Sequence, residues 1–507
     1  MRRPATPRIT VTTVTPRVAV PGAVLLALIL VFVIAWTTRP GTAVVTVPAG
    51  QHTAVTSITR SCPPAAPGGA APHISMIALP AAQSGAASSG TAAAKTPAGT
   101  ATFSGILAAP ATAATTKAAG TKPVAVTAVG TVTSVTVPGG GGAAVAANGK
   151  MAEGFEAEQT DASGTGVVTC THPGSDMWFV GTGQSDGASQ VWLYLMNTGN
   201  LTASADVTIL TDTGQQNGLN SAITVAPRQY VKENVTPYVQ GSQAIALRVQ
   251  ANTGQVAASV WEGGSGGGAW LPQANAPTKS LVIPGLTVAS SAARLFVVTP
   301  GSSDAKLKVV AYTPAGAAQQ FPGTPVDASA GAVTPLALNS LGASAAGLKL
   351  TSSAPIVAGV LVPGTGIGSF TTAVPPVTEQ GVVAANPAAK GVTVGLLLTA
   401  PSAAARATIS VISADGTVTT PAGDQNVAVT AGHTLAVTVP RPADGGRQPF
   451  AIVVTPQPGT GPLYAVRVVT SGTGGLSAPL SSLLPVSSAM TSITLPPTQD
   501  NYTAVLP

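Results

Sequence analysis

The sequence predicts an all-β protein: tandem β-sandwich (Ig-like) repeats of about 100 residues behind one N-terminal transmembrane helix. Three observations carry this reading. "VWLYLMNTGNLTASADVTILTDTG" (191–214) is echoed by "RLFVVTPGSSDAKLKVVAYTPAG" (294–316) and by "VGLLLTAPSAAARATISVISADG" (394–416). The closing glycines Gly214, Gly316 and Gly416 therefore stand 102 and 100 residues apart. With 57 Gly and 44 Pro in 507 residues, long helices are broken almost everywhere, and no helical periodicity follows residue 36. Finally, Val18–Trp36 is a run of nineteen uncharged residues, close to the ~20 that span a bilayer core.

Residues 1–17 form a basic tail with Arg2, Arg3, Arg8 and Arg17, and a single Arg39 closely follows the apolar run. The positive-inside rule then makes residues 18–36 a signal anchor in the cytoplasmic membrane, with the tail inside and the bulk of the chain outside. A cleaved signal peptide is the alternative, since "GTA" at 41–43 offers small residues for cleavage. Both readings export the rest of the chain.

Residues 44–170 read as an N-terminal β-rich module with low-complexity loops. Within 81–150, Ala/Thr/Gly stretches are interrupted by strand-like pieces such as "PVAVTAVGTVTSVTV" (123–137), and the Thr/Pro-rich parts could carry O-linked sugar. The only two cysteines, Cys62 and Cys170, read as a disulfide in an oxidising compartment. A metal site with His172 is the weaker reading, because zinc ligands come in short-spaced pairs. The pairing makes "TCTHPGSDMWFVGTGQSDG" (169–187) a junction between this module and the repeats.

Three β-sandwich repeats come next, at 178–286, 287–385 and 386–507. Each continues through a small turn, "VAPRQYV" (225–231), "DASAGAV" (327–333) or "VTAGHTL" (429–435), and closes on a strand pair such as "AIALRVQANTGQVAASVW" (244–261). About seven short strands per repeat, with turn signals every 8–12 residues, suit a sandwich. A barrel is the alternative; propeller blades usually repeat at about 40–50 residues.

Charged residues are only 8% of the chain. Four of the 23 Lys+Arg precede the apolar run, and the rest nearly balance the 17 Asp+Glu. Basic patches with interleaved aromatics are missing, so nucleic acid is not expected as a partner. Motifs that imitate chemistry fail on context. "DTG" at Asp212–Gly214 recurs as Pro314-Ala315-Gly316 and Ala414-Asp415-Gly416, so it is a hairpin turn that needs glycine, not a carboxylate. "GQSDG" (183–187) and "GGSGG" (263–267) lack the strand-to-helix setting of a nucleophile elbow. "GTGIG" (364–368) lacks the lysine of a phosphate loop. The four histidines are scattered, and no cofactor or metal is expected.

Trp178, Trp192, Trp261 and Trp270 crowd into the first of the three repeats. Strand alternation in "VWLYLM" sets Trp192 and Tyr194 on one face and Val191, Leu193 and Leu195 on the other. Trp192, Tyr194 and Trp270 are thus the candidate binding surface; the competing reading packs these aromatics against the N-terminal module.

"SCPPAAP" (61–67), "CTHPGSDMWFVGTG" (170–183), "ADVTILTDTG" and "GGAWLPQANAPTKSLVIPGL" (267–286) resemble a family of membrane-anchored, exported actinobacterial proteins known only as a domain of unknown function. The likeness covers roughly residues 44–507. It implies an anchored extracytoplasmic protein and brings no catalytic residue with it; the loose 81–150 segment departs from the pattern. The expected function is a non-enzymatic cell-envelope protein displaying its sandwiches for structural, protein or glycan interaction. Two alternatives stand beside it. One is a cell-wall polysaccharide hydrolase or transferase drawing carboxylates from Glu153, Glu156, Asp176 and Asp186. The other is an accessory scaffold of a membrane glycosyltransferase or exporter.

Overall fold

A computed structural model describes residues 27–33, 51–79, 99–109 and 124–495, apart from loop positions whose longest runs are 288–292, 339–344 and 443–447. The chain forms two compact units, Thr53–Ile493 and, separately, Met1–His52 with Thr494–Pro507. In the smaller unit, residues 27–33 are helical and exposed. No helix among the described residues is long and apolar enough to cross a membrane. The remainder of 18–36 lies outside the described residues, as do 80–98 and 110–123 of the low-complexity segment.

The large unit is all β. After β1 (Gln51–Ala54), the strands are β2 (Ser57–Cys62), β3 (His73–Ala78), β4 (Gly99–Ala108), β5 (Val124–Val126), β6 (Thr133–Thr136), β7 (Gly142–Gly149), β8 (Phe155–Thr160) and β9 (Val167–Thr169). They form two sheets, ordered β2-β7-β4-β5 and β6-β3-β8-β9.

The next group is β10 (Asp176–Thr182), β11 (Gln190–Met196), β12 (Ala203–Thr211), β13 (Gly214–Gln216), β14 (Ile223–Val225), β15 (Gln229–Asn234), β16 (Ala244–Thr253), β17 (Ala257–Gly264) and β18 (Gly267–Leu271). Its sheets run β10-β16-β12-β13 and β15-β11-β17-β18, which is the same order.

The third group comprises β19 (Thr278–Thr287), β20 (Arg294–Thr299), β21 (Ala305–Tyr312), β22 (Gln319–Gln320), β23 (Val326–Ala328), β24 (Ala332–Ala337), β25 (Ala345–Val362) and β26 (Ser369–Thr372). It repeats the plan as β19-β25-β21-β22 and β24-β20-β25-β26, with the long β25 serving both sheets.

The fourth contains β27 (Gly381–Asn386), β28 (Val392–Ala400), β29 (Ala405–Ile412), β30 (Val418–Thr419), β31 (Val427–Val429), β32 (His433–Thr438), β33 (Phe450–Pro456), β34 (Tyr464–Ser471) and β35 (Leu480–Pro485). Its sheets are β27-β33-β29-β30 and β32-β28-β34-β35; β36 (Ser492–Leu495) ends the described chain.

The N-terminal module is therefore a fourth sandwich with the strand order of the other three. Each copy is built on one alternating strand. In β12, Ala205, Val207 and Ile209 are buried while Asp206 is exposed; in β21, Ala305, Leu307 and Val309 are buried while Lys306 and Lys308 are exposed. A period of two with one apolar face buries that face against the opposing sheet. Gly214, Gly316 and Gly416 all take positive φ, at 107°, 87° and 88°, in the hairpin that leaves this strand. The hydroxyl one turn earlier closes each hairpin, Thr211 and Thr313 donating to the glycine carbonyl and Ser413 to that of Thr417.

The four sandwiches close into a ring. The first joins the second through a parallel pair, β4 beside β15, and through Ile106 and Ala144 packed on Met196 and Ala257. Phe296, Val298, Leu361 and Phe370 of the third enter the core of the second. Leu397, Val466, Val468 and Leu483 of the fourth enter the core of the third. The fourth then returns to the first, with Val382, Ala384 and Val453 against Ile77 and Val132. The last strand of each copy lies innermost: β18 against β26, β26 against β35, β35 against β9, and β9 against β18.

Candidate functional site

Two features lie where the copies meet: a cavity among the four innermost strands, and a set of buried ions along the seam between the first and fourth sandwiches. The cavity has a volume of about 190 Å³ and takes residues from every copy. Phe179, Leu271, Phe370 and Leu483 supply an apolar floor, and Thr171, Ser259, Gln273, Asn275 and Thr372 supply polar atoms. His172 and Ser487, both exposed, stand at its mouth.

Arg60, near the end of β2, reaches this cavity from the first sandwich. Its Nη2 donates to Glu156 Oε1 at 2.5 Å and to the Phe155 carbonyl at 3.3 Å. Both side chains of this ion pair are almost fully buried, at 9% and 5% exposure. Burial pushes the Glu156 carboxyl above its ordinary value, against the pull of the Arg60 charge. Arg60 Nε has no partner among the described residues, nor has the hydroxyl of Ser259.

Two residues along β8, Glu158 points into the seam. Its Oε2 accepts the Ala385 backbone N–H at 2.9 Å. Burial raises its carboxyl to about 7, while the Arg467 charge and the backbone hydrogen bond hold it back. Arg467, fully buried, donates to the Ala385 carbonyl at 3.3 Å and to Ser482 Oγ at 2.8 Å. Burial lowers it to about 10, with Glu158 opposing.

A third carboxyl, Glu262 on β17, lies inside the second sandwich. It accepts the Thr182 backbone N–H at 3.2 Å and the Thr182 hydroxyl at 2.7 Å, both on Oε2. Desolvation pushes it up to about 8, outweighing those two bonds. It fits only because position 181 is glycine: a Cβ there would collide with Glu262 Oε1.

The cysteines expected to pair do so. Cys62 and Cys170 form a disulfide, both fully buried, and they join the end of β2 to the residue after β9. The bond thus ties together the first sandwich itself. At the candidate aromatic surface the alternation holds, with Val191, Leu193 and Leu195 at 0% exposure on one face. The opposite face is not a free platform along its whole length. Tyr194 is 1% exposed, its ring 5.5 Å from that of Trp270 and 6.4 Å from that of Tyr230. Tyr194 is therefore withdrawn from a binding surface, because the strands bearing Trp270 and Tyr230 cover it. Trp192 and Trp270 stay half-buried, and Trp192 carries the Lys232 ammonium 3.8 Å from its ring centre. Trp270 also lines the ring cavity.

Trp192, Trp261 and Trp270 sit in cross-strand register across β11, β17 and β18. The Trp261 indole lies over Gly263 and Gly268, where any Cβ would strike its ring, which accounts for those two glycines of "GGSGGG" without a nucleophile elbow.

Three of the four carboxylates considered for hydrolysis are taken up in separate ion pairs. Glu153 pairs with Lys150 at 3.3 Å, Glu156 with Arg60, and Asp176 with Arg248 at 2.9 Å. The Asp186 side chain lies outside the described residues. Asp212 of the "DTG" turn accepts the Gln243 backbone N–H at 2.9 Å. Among the described residues, no three of His, Cys, Asp and Glu gather as metal ligands would. Motif and spacing do not single out Arg60, Glu158, Glu262 or Arg467. Ionic residues inside strands of so uncharged a chain are the available signal.

Residues 141–440 match the model of a family of unknown function, DUF5719. No curated protein matches the chain. Among solved structures, a Streptomyces avermitilis α-L-rhamnosidase complexed with L-rhamnose is similar at 11% identity and a TM-score of 0.11. That similarity covers 75% of this chain, and this chain spans 55% of that enzyme; at such a TM-score it carries no argument.

Proposed function

The chain belongs to the DUF5719 family, and we propose that it is a non-enzymatic, membrane-anchored cell-envelope protein whose sandwiches serve structural, protein or glycan contacts outside an actinobacterial cytoplasmic membrane. The observation that carries this reading is the buried Cys62–Cys170 disulfide downstream of the uncharged run 18–36. Disulfides persist in oxidising, extracytoplasmic compartments, and an apolar run with arginines concentrated on its N-terminal flank directs the rest of the chain outward.

A β-sandwich array with few charges and well-packed junctions suits display rather than chemistry. Its partners would be an envelope protein or a cell-wall glycan. Cell fractionation with external protease tests the reading. The full chain should sediment with membranes and be cut in spheroplasts without lysis. Recovery in the cytosol, with both cysteines alkylated before reduction, would overturn it.

A further inference from the structure

The ring cavity is built like a recognition site, and nothing in the envelope reading uses it. Two polar groups in its lining, Arg60 Nε and Ser259 Oγ, are buried without a partner among the described residues. Leaving a buried donor unsatisfied costs about 1–3 kcal/mol, so such groups call for an explanation, a bound molecule being one. Arg60 already spends its charge on Glu156, 2.5 Å away, so Nε offers direction rather than net attraction for an anion. Thr171 and Thr372 donate their hydroxyls to the Ala258 and Ala358 carbonyls, which leaves their oxygens free to accept.

The same lining includes apolar residues, among them the half-buried Trp270. A pyranose has this double character, with hydroxyls around its rim and a C–H face that packs on an aromatic ring. At about 190 Å³ the cavity has room for a small ligand such as one sugar ring. The mouth at His172 and Ser487 would let the rest of a glycan project outward.

We propose that the cavity among the four innermost strands binds one neutral sugar residue, as a free monosaccharide or the end of a glycan chain. Trp270 would pack on its C–H face, and Ser259, Arg60 and Gln273 would hydrogen-bond its hydroxyls. This deepens the envelope reading, in which a wall glycan supplies the sugar, but the binding event itself rests on the cavity.

The test is ligand-observed NMR on the detergent-purified full chain. The probes are glucose, galactose, mannose and N-acetylglucosamine, with glucuronate as the charged comparison and a methyl disaccharide to mark a chain end. At least one neutral sugar should bind saturably. Ser259→Ala and Trp270→Ala should each weaken it tenfold or more while melting as cooperatively as the wild type, and Lys306→Ala, exposed on β21 and outside the lining, should leave it unchanged. Saturable binding of glucuronate alone would overturn the assignment. So would no saturable binding of any probe, or equal binding by all three variants. If no sugar binds while the chain still fractionates with the membrane, the cavity assignment falls and the envelope reading stands. If a sugar binds in the cavity but the chain is cytosolic, the reverse holds.

Discussion

Glu158 of the first sandwich accepts the backbone N–H of Ala385 in the fourth at 2.9 Å, across 227 residues of sequence. Arg467 completes the contact from the other side, donating to the Ala385 carbonyl. Sandwiches strung as a tandem array need touch only their neighbours in sequence. A buried contact between the first and last copies makes the array a ring, with its innermost strands enclosing the cavity.

Buried carboxyls raised by desolvation make stability depend on pH, Glu156 among them. Glu262 is raised to about 8 and Glu158 to about 7, both from an ordinary 4.5. The folded protein holds these protons more tightly than the unfolded chain. Their contribution is therefore complete below pH about 4.5 and is lost as pH rises toward 8. The melting temperature should fall between pH 5 and 8.5. In Glu262→Gln, whose amide oxygen can still accept from Thr182, the fall should be shallower, with a gain on the order of a few kcal/mol at pH 8.5 relative to wild type. Parallel pH profiles for wild type and variant would refute this.

The disulfide closes a loop of more than a hundred residues within the first sandwich, for which loop entropy gives about 4–5 kcal/mol. Replacing both cysteines by alanine should cost stability of that order in denaturant titrations. Because the first copy also seals the ring, the loss should reach the fourth. Hydrogen exchange should quicken in Val382–Asn386 as well as in β2 and β9. Exchange confined to residues 55–170 would show that the copies open independently.

Arg228 takes a φ of 57° at the turn where the third and fourth copies carry Gly331 and Gly432, at 65° and 74°. A left-handed conformation costs a side-chain-bearing residue about 1–2 kcal/mol. The Arg228 guanidinium regains part of this through exposed bonds to Asn200 at 3.2 and 3.3 Å. Arg228→Gly should therefore be stabilising by up to about 1 kcal/mol, read as a small rise in melting temperature. A fall would show that the Asn200 bonds outweigh the strain.

Much of the architecture was legible in the sequence because three copies keep one spacing. The glycines at 214, 316 and 416 mark the same hairpin, and alternation in β11, β12 and β21 assigns their buried faces. The first copy escapes recognition because its hairpin is replaced by the long segment between β4 and β5. Insertion there shifts the period, and no glycine falls in step with the others. The junction residues are harder still. Arg60 and Glu156 lie 96 residues apart, and the Trp192 face is closed partly by another copy, so neither contact can be read from local pattern. Alternation says which side of a strand a residue occupies, not what covers that side.

The most direct test of ring closure is a double-mutant cycle on Glu158→Gln and Arg467→Met, read from denaturant unfolding. Each single change strands a buried partner and should cost about 3–5 kcal/mol. Because both hold the Ala385 peptide and their opposite charges attract across the seam, the double variant should be less destabilised than their sum by about 1–3 kcal/mol. Additivity within about 0.5 kcal/mol would mean that the two charges do not couple across the seam, contradicting the electrostatic closure of the ring.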